Sequence, residues 1–291
     1  MADRKKRLES NVVGNFYVDA TCINCDTCRQ LAPTSFEEVG EYSAVRHQPE
    51  NEEQTHQAYQ ALLACPVGSI GTEQSDKTRL QQAKESFPLH LEDGVFYCGF
   101  NSDKSFGANS FFIRHQDGNW LIDSPRYLKQ LVEAFERMGG MKYIFLTHED
   151  DVADADKYAA HFTATRIIHR ADAGAVPNAE WILEGTDARE IAPRFKVIPV
   201  PGHTPGSQVL LYNERFLFTG DHLWWDPDRA QLASPRQLVW NHDELVRSIE
   251  KLLLHRFEWV LAGHGGRVRM SQNDLHAKLR ELLHSYLVTG R

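Results

Sequence analysis

The chain has no basic half. Its formal net charge is −8, and acids outnumber lysine and arginine both in residues 1–87 and in the remainder. Binding to nucleic acid or to an anionic membrane needs a concentrated positive face, so neither is expected. The run Arg4-Lys5-Lys6-Arg7 is the one basic cluster and reads as a solvated terminus. Long apolar runs are missing too. No stretch approaches the roughly 18–20 residues of a membrane span, and no apolar segment follows the early basic residues, so neither a span nor a secretory leader is expected. Cysteine is scarce, and four of the five stand in a spacing suited to cluster ligation. That usage favours ligands in a reducing compartment over disulfides. Cytoplasm is the expected location, or an organelle stroma or matrix for a processed form. No Gly-x-Gly-x-x-Gly follows a strand-like run, so a nucleotide-cofactor fingerprint is absent.

What is present suffices for a packed core: 42% of residues are hydrophobic and 25% charged. The length suits two domains. Residues 1–80 read as strand, ligand loop, short helix, strand and helix. Residues 72–87 are polar and read as a linker with helical composition. From residue 89 onward short apolar runs alternate with amphipathic segments. Strands are expected at 110–114, 119–123, 143–146, 166–169, 195–200, 208–212, 216–218 and 259–262. Helices are expected at 128–138, 154–162, 243–254 and 273–287. This interleaving predicts a layered α/β domain over residues 88–291.

The first segment carries Cys22-Ile23-Asn24-Cys25-Asp26-Thr27-Cys28 and, far downstream, Cys65-Pro66. Three thiolates two residues apart, with a distant Cys-Pro, match the ligand spacing of one [4Fe–4S] cluster. Zinc would also accept four thiolates, but its usual pattern is two separated Cys-x-x-Cys pairs. The fifth cysteine, Cys98, lies outside the pattern and reads as core. Over residues 14–73 the sequence resembles single-cluster bacterial ferredoxins. In two-cluster relatives a further cysteine would stand at position 32, where this chain has Ala32, so the resemblance implies one cluster that passes one electron.

The second segment places metal-binding side chains after apolar runs: Thr147-His148-Glu149-Asp150-Asp151, Pro201-Gly202-His203-Thr204-Pro205-Gly206-Ser207, Thr219-Gly220-Asp221-His222 and Gly263-His264-Gly265-Gly266, with Asp123 earlier. A histidine just beyond a strand and next to glycine sits on a loop at a sheet edge, where ligands gather. Together these runs resemble the metallo-β-lactamase superfamily over residues 92–267. The resemblance implies an αββα sandwich with one or two metal ions, iron or zinc, at one edge. It implies ligand roles for His148, His203, Asp221 and His264, and a structural role for Asp123. The first motif departs from the family's His-x-His-x-Asp-His: Asp150 replaces the second histidine, Val152 the aspartate and Ala153 the last histidine. The first position then keeps His148, Asp150, His203 and Asp221. The second keeps only Asp221 and His264, and is expected to be weak or empty unless Asp151 or Asp154 reaches across. Both acids also fit the start of the following helix as caps. A set rich in carboxylate suits iron better than zinc.

Three functions follow. The first is a superfamily-type metal-dependent hydrolase acting on a small molecule. The second is a redox enzyme with a mono- or di-iron centre fed by the cluster, which requires a redox partner. The third is an electron carrier or sensor on a degenerate catalytic scaffold.

Overall fold

The computed structural model describes residues 2–289. It groups into two compact units, one holding the chain up to Asn119 together with Ser124–Gly140, the other holding Trp120–Asp123 and the chain from Met141 onward. Among the described residues no helix is long and apolar enough to cross a membrane.

In the first unit, strand Phe16–Val18 pairs antiparallel with Ile70–Thr72, in the register Phe16↔Thr72. This pairing brings Cys65 back beside the cysteine loop, although 36 residues lie between Cys28 and Cys65 in sequence. The loop runs into the short helix Thr27–Leu31. A hairpin of Phe36–Val39 and Tyr42–Val45 follows, where the sequence suggested one strand. Helix Glu52–Ala64 starts where the Asn51 side chain accepts from the Gln54 amide, and stops at Cys65-Pro66, because proline has no amide hydrogen to continue the ladder. The polar stretch read as a linker contains helix Lys77–Glu85, capped by the Asp76 carboxylate accepting from Thr78 and Arg79. Strands Leu89–Glu92, Val95–Tyr97 and Phe111–Ile113 then pair antiparallel in sequence order. Phe112 stacks on Phe135 of helix Lys129–Arg137, which buries Leu131, Val132 and Phe135 along one stripe.

In the second unit, Trp120–Ile122, Tyr143–Phe145, Thr165–His169 and Trp181–Leu183 form parallel neighbours. Strands buried on both faces read as continuous apolar runs, as Ile144 and Phe145 do. A second sheet runs in the order Arg189–Ala192, Phe195–Pro199, Gln208–Tyr212, Phe216–Gly220, Trp259–Ala262, Val268–Arg269. The sheets meet where Trp120 stacks on Phe195 with ring centroids 4.2 Å apart. Helices His242–Leu252 and Gln272–Thr289 cover the second sheet, with Leu245, Ile249, Leu275 and Leu279 packed against Val209, Leu217 and Val260. Helix Ala155–Phe162 lies against the first sheet. The layers are helix, sheet, sheet, helix, the αββα arrangement expected from the sequence.

Candidate metal centres

The four cysteines of the spacing motif line one cavity together with Val18, Ile23, Val67 and Ile70, and none is in a disulfide. Asn24 and Asp26 adopt left-handed backbone at φ 55° and 63°, which curls the loop around that cavity. Amides aim at sulfur: Asn24 and Ser43 each donate to Cys22 Sγ at 3.4 Å, and Ser69 donates to Cys65 Sγ at 3.3 Å. Burial pushes the Cys25 thiol up to about 11 and Cys28 higher still. Thiolates in so apolar a cavity require positive charge among them, which iron supplies, so the donor set fits the cluster. Cys98 is wholly buried outside this group.

Segments beyond residue 98 complete the cavity's surroundings within the same unit. A side chain at Gly107 would place Cβ 2.8 Å from Cys25 Cβ and 3.0 Å from its Sγ, so only glycine fits there. The buried Asn101 side chain donates to Thr27 Oγ1 at 3.1 Å and to the Gly107 carbonyl at 2.7 Å. Arg126 Nη2 donates to the carbonyls of Leu63 at 2.9 Å and Cys65 at 3.2 Å. Sequence reasoning missed Asn101, Gly107 and Arg126, since nothing local marks residues so distant from the cysteine motif.

The other centre is built at one edge of the second unit's two sheets. His148 follows Tyr143–Phe145 in one sheet, and Asp221 and His264 follow the paired parallel strands Phe216–Gly220 and Trp259–Ala262 in the other. Gln208 fastens the two edges together: its amide donates to the Thr147 carbonyl and its side chain to the Leu146 carbonyl, both at 2.9 Å. His148 Nε2 and His203 Nε2 each lie 3.7 Å from Asp221 Oδ2. Asp150 Oδ2 stands 3.3 Å from His203 Nε2 and 3.7 Å from His148 Nε2. His264 Nε2 is 3.9 Å from Asp221 Oδ2. Donors sharing one ion through bonds of about 2.0–2.2 Å stand roughly 3–3.6 Å apart, so these gaps are close to ligand spacing.

The ligand atoms fall into two overlapping triads, His148 with His203 and Asp221, and Asp151 with Asp221 and His264. Asp221 belongs to both. Asp150 borders the first triad from the solvent side, with its side chain 61% exposed. The sequence left open whether Asp151 or Asp154 reaches the second position, and it is Asp151 that lies with Asp221 and His264. It closes the 3-10 turn Glu149–Asp151 and points inward, while the position before helix Ala155–Phe162 belongs to Asp154. Asp154 pairs with Lys157 at 3.0 Å and stays out of both triads. His222, also part of the metal-binding runs, is buried outside them with both ring nitrogens unpartnered.

Neighbouring groups orient these donors. His203 Nδ1 lies 2.7 Å from the Leu238 carbonyl and can only donate to it, which leaves Nε2 as the lone-pair atom. His148 Nδ1 lies 3.0 Å from Thr147 Oγ1, and Thr147 is held by Asp123 through its amide at 2.8 Å and its hydroxyl at 3.0 Å. Asp172 accepts from the Glu149 amide at 3.2 Å, the Gly206 amide at 2.7 Å and the Thr204 hydroxyl, clamping the two histidine loops together. It too escaped sequence reasoning. Trp224 packs against the turn after His264, where a Cβ on Gly265 would lie 2.3 Å from its ring, and Trp225 packs on the core beneath.

The site asks for cations. Asp151 is fully buried with both carboxylate oxygens unpartnered, and Asp221 Oδ1 and His148 Nε2 are also buried without hydrogen bonds. A Cβ on Gly263 would come within 2.8 Å of both Asp151 Oδ2 and Asp221 Oδ1, so the chain keeps that crowded corner clear. Burial, with Asp221, Asp123 and Asp150 nearby, drives the Asp151 carboxyl far above the usual range. Burial likewise raises Asp123, against the hydrogen bonds from Thr147. For His203 burial opposes protonation, but the Asp150 hydrogen bond and Asp221 outweigh it and raise its pKa. Metal ions bound by Asp151 and its neighbours would take the place of the retained protons and of the missing partners, so the residues fit them.

Comparisons with known proteins bear on the families and the fold. Residues 87–286 match the metallo-beta-lactamase superfamily, and residues 18–72 match the 4Fe-4S single cluster domain of ferredoxin I. The chain therefore belongs to the metallo-β-lactamase superfamily and carries a single-cluster [4Fe–4S] ferredoxin domain. The fold is similar to that of DIM-1 metallo-beta-lactamase, at 18% identity and a TM-score of 0.52 over 67% of this chain and 95% of that one. It is similar also to a metallo-beta-lactamase from Hirschia baltica, at 14% identity and a TM-score of 0.51 over 67% and 96%. No curated protein matches the chain in sequence.

Proposed function

We propose that the chain is a metal-dependent hydrolase with a two-position metal site. The observation that carries this reading is the pair of ligand triads sharing Asp221. His148, His203 and Asp221, with Asp150 on the open side, would hold one ion, and Asp151, Asp221 and His264 the other. Ions so held supply an acidified water and polarise an ester, thioester or amide carbonyl. The chain's own part is to fix the donors. The Leu238 carbonyl and Thr147 set the imidazoles so that both Nε2 atoms face inward. Asp150 remains ionised beside solvent, because its hydrogen bond with His203 lowers its pKa, and it can take up a proton there. Superfamily members are usually hydrolytic, which supports the same reading.

A second reading, iron-based redox chemistry, is favoured by the donor set, in which Asp150, Asp151 and Asp221 equal the three imidazoles in number and bring hard oxygen donors. The attached cluster domain gives that reading an electron source. One experiment separates the two. Full-length protein with Cys22→Ser and Cys65→Ser, which removes the cluster, is assayed for iron and zinc and for ester and thioester hydrolysis. Two zinc ions with hydrolysis that Asp221→Asn abolishes support the hydrolase. Bound iron without hydrolysis overturns it in favour of redox chemistry.

A further inference from the structure

The first unit contains a second feature that the metal centres do not use. A cleft of about 560 Å³ opens beside the cluster, with Cys65 in its wall and Phe100 and Leu80 among its apolar lining. Its basic residues are Lys77, Lys84 and Arg126, and no carboxylate lines it, although the chain as a whole carries a net charge of −8. Lys77, Leu80 and Lys84 occupy one stripe of helix Lys77–Glu85, at spacings of three and four residues. The two lysines are seven residues apart, about 10 Å along the axis. The acids of this region have other partners: Arg79 takes both Glu52 and Asp76, and Glu85 accepts from Gln81 Nε2 at 2.7 Å. Neither lysine has a carboxylate partner among the described residues. Arg126 is fixed at the cleft by its bonds to the Leu63 and Cys65 carbonyls.

We propose that this cleft is the docking site of a small acidic protein that carries single electrons to the cluster. Positive groups around an apolar patch steer a negatively charged partner and hold it briefly, which suits an electron-transfer encounter. The seat places that partner against Cys65, one of the four cluster ligands of the ferredoxin motif. The step transfers one electron: the carrier is oxidised by one, the cluster is reduced by one, and no bond or proton moves. An acidic chain that met its partner through its average surface would repel such a carrier, so the local reversal of sign is what gives the cleft its specificity.

The test uses the full-length holoprotein, with a plant-type [2Fe–2S] ferredoxin as the acidic probe. Calorimetry with both proteins oxidised should detect binding that weakens as salt is raised. Lys77→Glu with Lys84→Glu should weaken it by about tenfold or more and slow cluster reduction by the reduced probe to match. Photoreduced deazaflavin, a small neutral donor, should reduce the cluster of both proteins equally, which shows that the variant retains its cluster. Lys77→Gln with Lys84→Gln provides a milder form if the charge reversal disturbs folding. The proposal is overturned if wild-type protein shows no salt-sensitive binding of the probe, or if the lysine variants bind and react like wild type. It is overturned also if flavin mononucleotide binds the cleft and displaces the probe, which would make it a small-molecule site.

Discussion

Asp151 is a buried carboxyl without a hydrogen-bond donor, so it carries its charge only beside a cation and otherwise keeps a proton. Asparagine in its place keeps the volume and removes the charge. Asp151→Asn should therefore lower the metal content of the second unit from two ions to one per chain, as read by elemental analysis of cluster-free full-length protein. An unchanged content would remove Asp151 from the ligand set. Arg126 supports a second residue-scale prediction. Its guanidinium is partly desolvated and sits against the Cys65 carbonyl, where positive charge stabilises the more negative, reduced cluster. Arg126→Gln should shift the cluster midpoint to more negative potential, and Arg126→Lys should restore part of the shift, in a redox titration followed by electron paramagnetic resonance. A midpoint that stays put with full iron content would show Arg126 to be structural only. The cysteine ligands and the His148, His203, Asp221 and His264 positions were legible because each lies in a short run with its own spacing. The choice among Asp150, Asp151 and Asp154 was not. It depends on a single 3-10 turn that aims one carboxylate inward, and three aspartates within five residues look alike in sequence.

Among elements, the buried strands of the two sheets were legible from their apolar runs. Short and polar strands were not: Trp181–Leu183, Arg189–Ala192 and the hairpin of Trp224–Asp226 with Gln231–Ala233 draw their order from pairing. The Trp181–Leu183 edge shows how such an element is held. Arg166, in the neighbouring strand, binds the Glu180 carboxylate through Nη2 at 2.7 Å and also pairs with Asp156. The Arg166 hydrogen bond lowers the Glu180 pKa from 4.5 to about 2. A lowered folded-state pKa stabilises the fold above pH 4.5, and the benefit fades as pH falls toward 2. Glu180→Gln should thus lower the melting temperature slightly at neutral pH, with a cost below about 1 kcal/mol because the pair is half exposed. The gap between variant and wild type should narrow steadily as the buffer is taken below pH 4.5. A gap that is constant with pH would assign the loss to packing instead.

At the scale of the molecule, family resemblance and physical closure divide the chain at different places. The two matched families meet between residues 72 and 87, whereas the unit that holds the cluster runs on to Asn119 and includes Ser124–Gly140. Asn101, Gly107 and Arg126 illustrate the overlap, since each belongs by sequence to the second family's stretch and by contact to the cysteine-bearing segments, through Thr27, Cys25 and Cys65. A fragment of residues 88–291 should therefore lose its cooperative melting transition or melt well below the full chain in calorimetry, because Phe100 and Asn101 would be stripped of their cover. Unchanged melting of its lactamase-like portion would contradict this. The tight seat of Gly107 against Cys25 carries one more consequence. When oxygen destroys the cluster, Cys25, against which Gly107 of the 99–109 segment is seated, loses its iron scaffold. That segment should then become the first site of proteolytic cutting. Oxidative injury to the cofactor would be turned directly into shortened lifetime of the polypeptide, so that the amount of intact protein records the oxygen it has met.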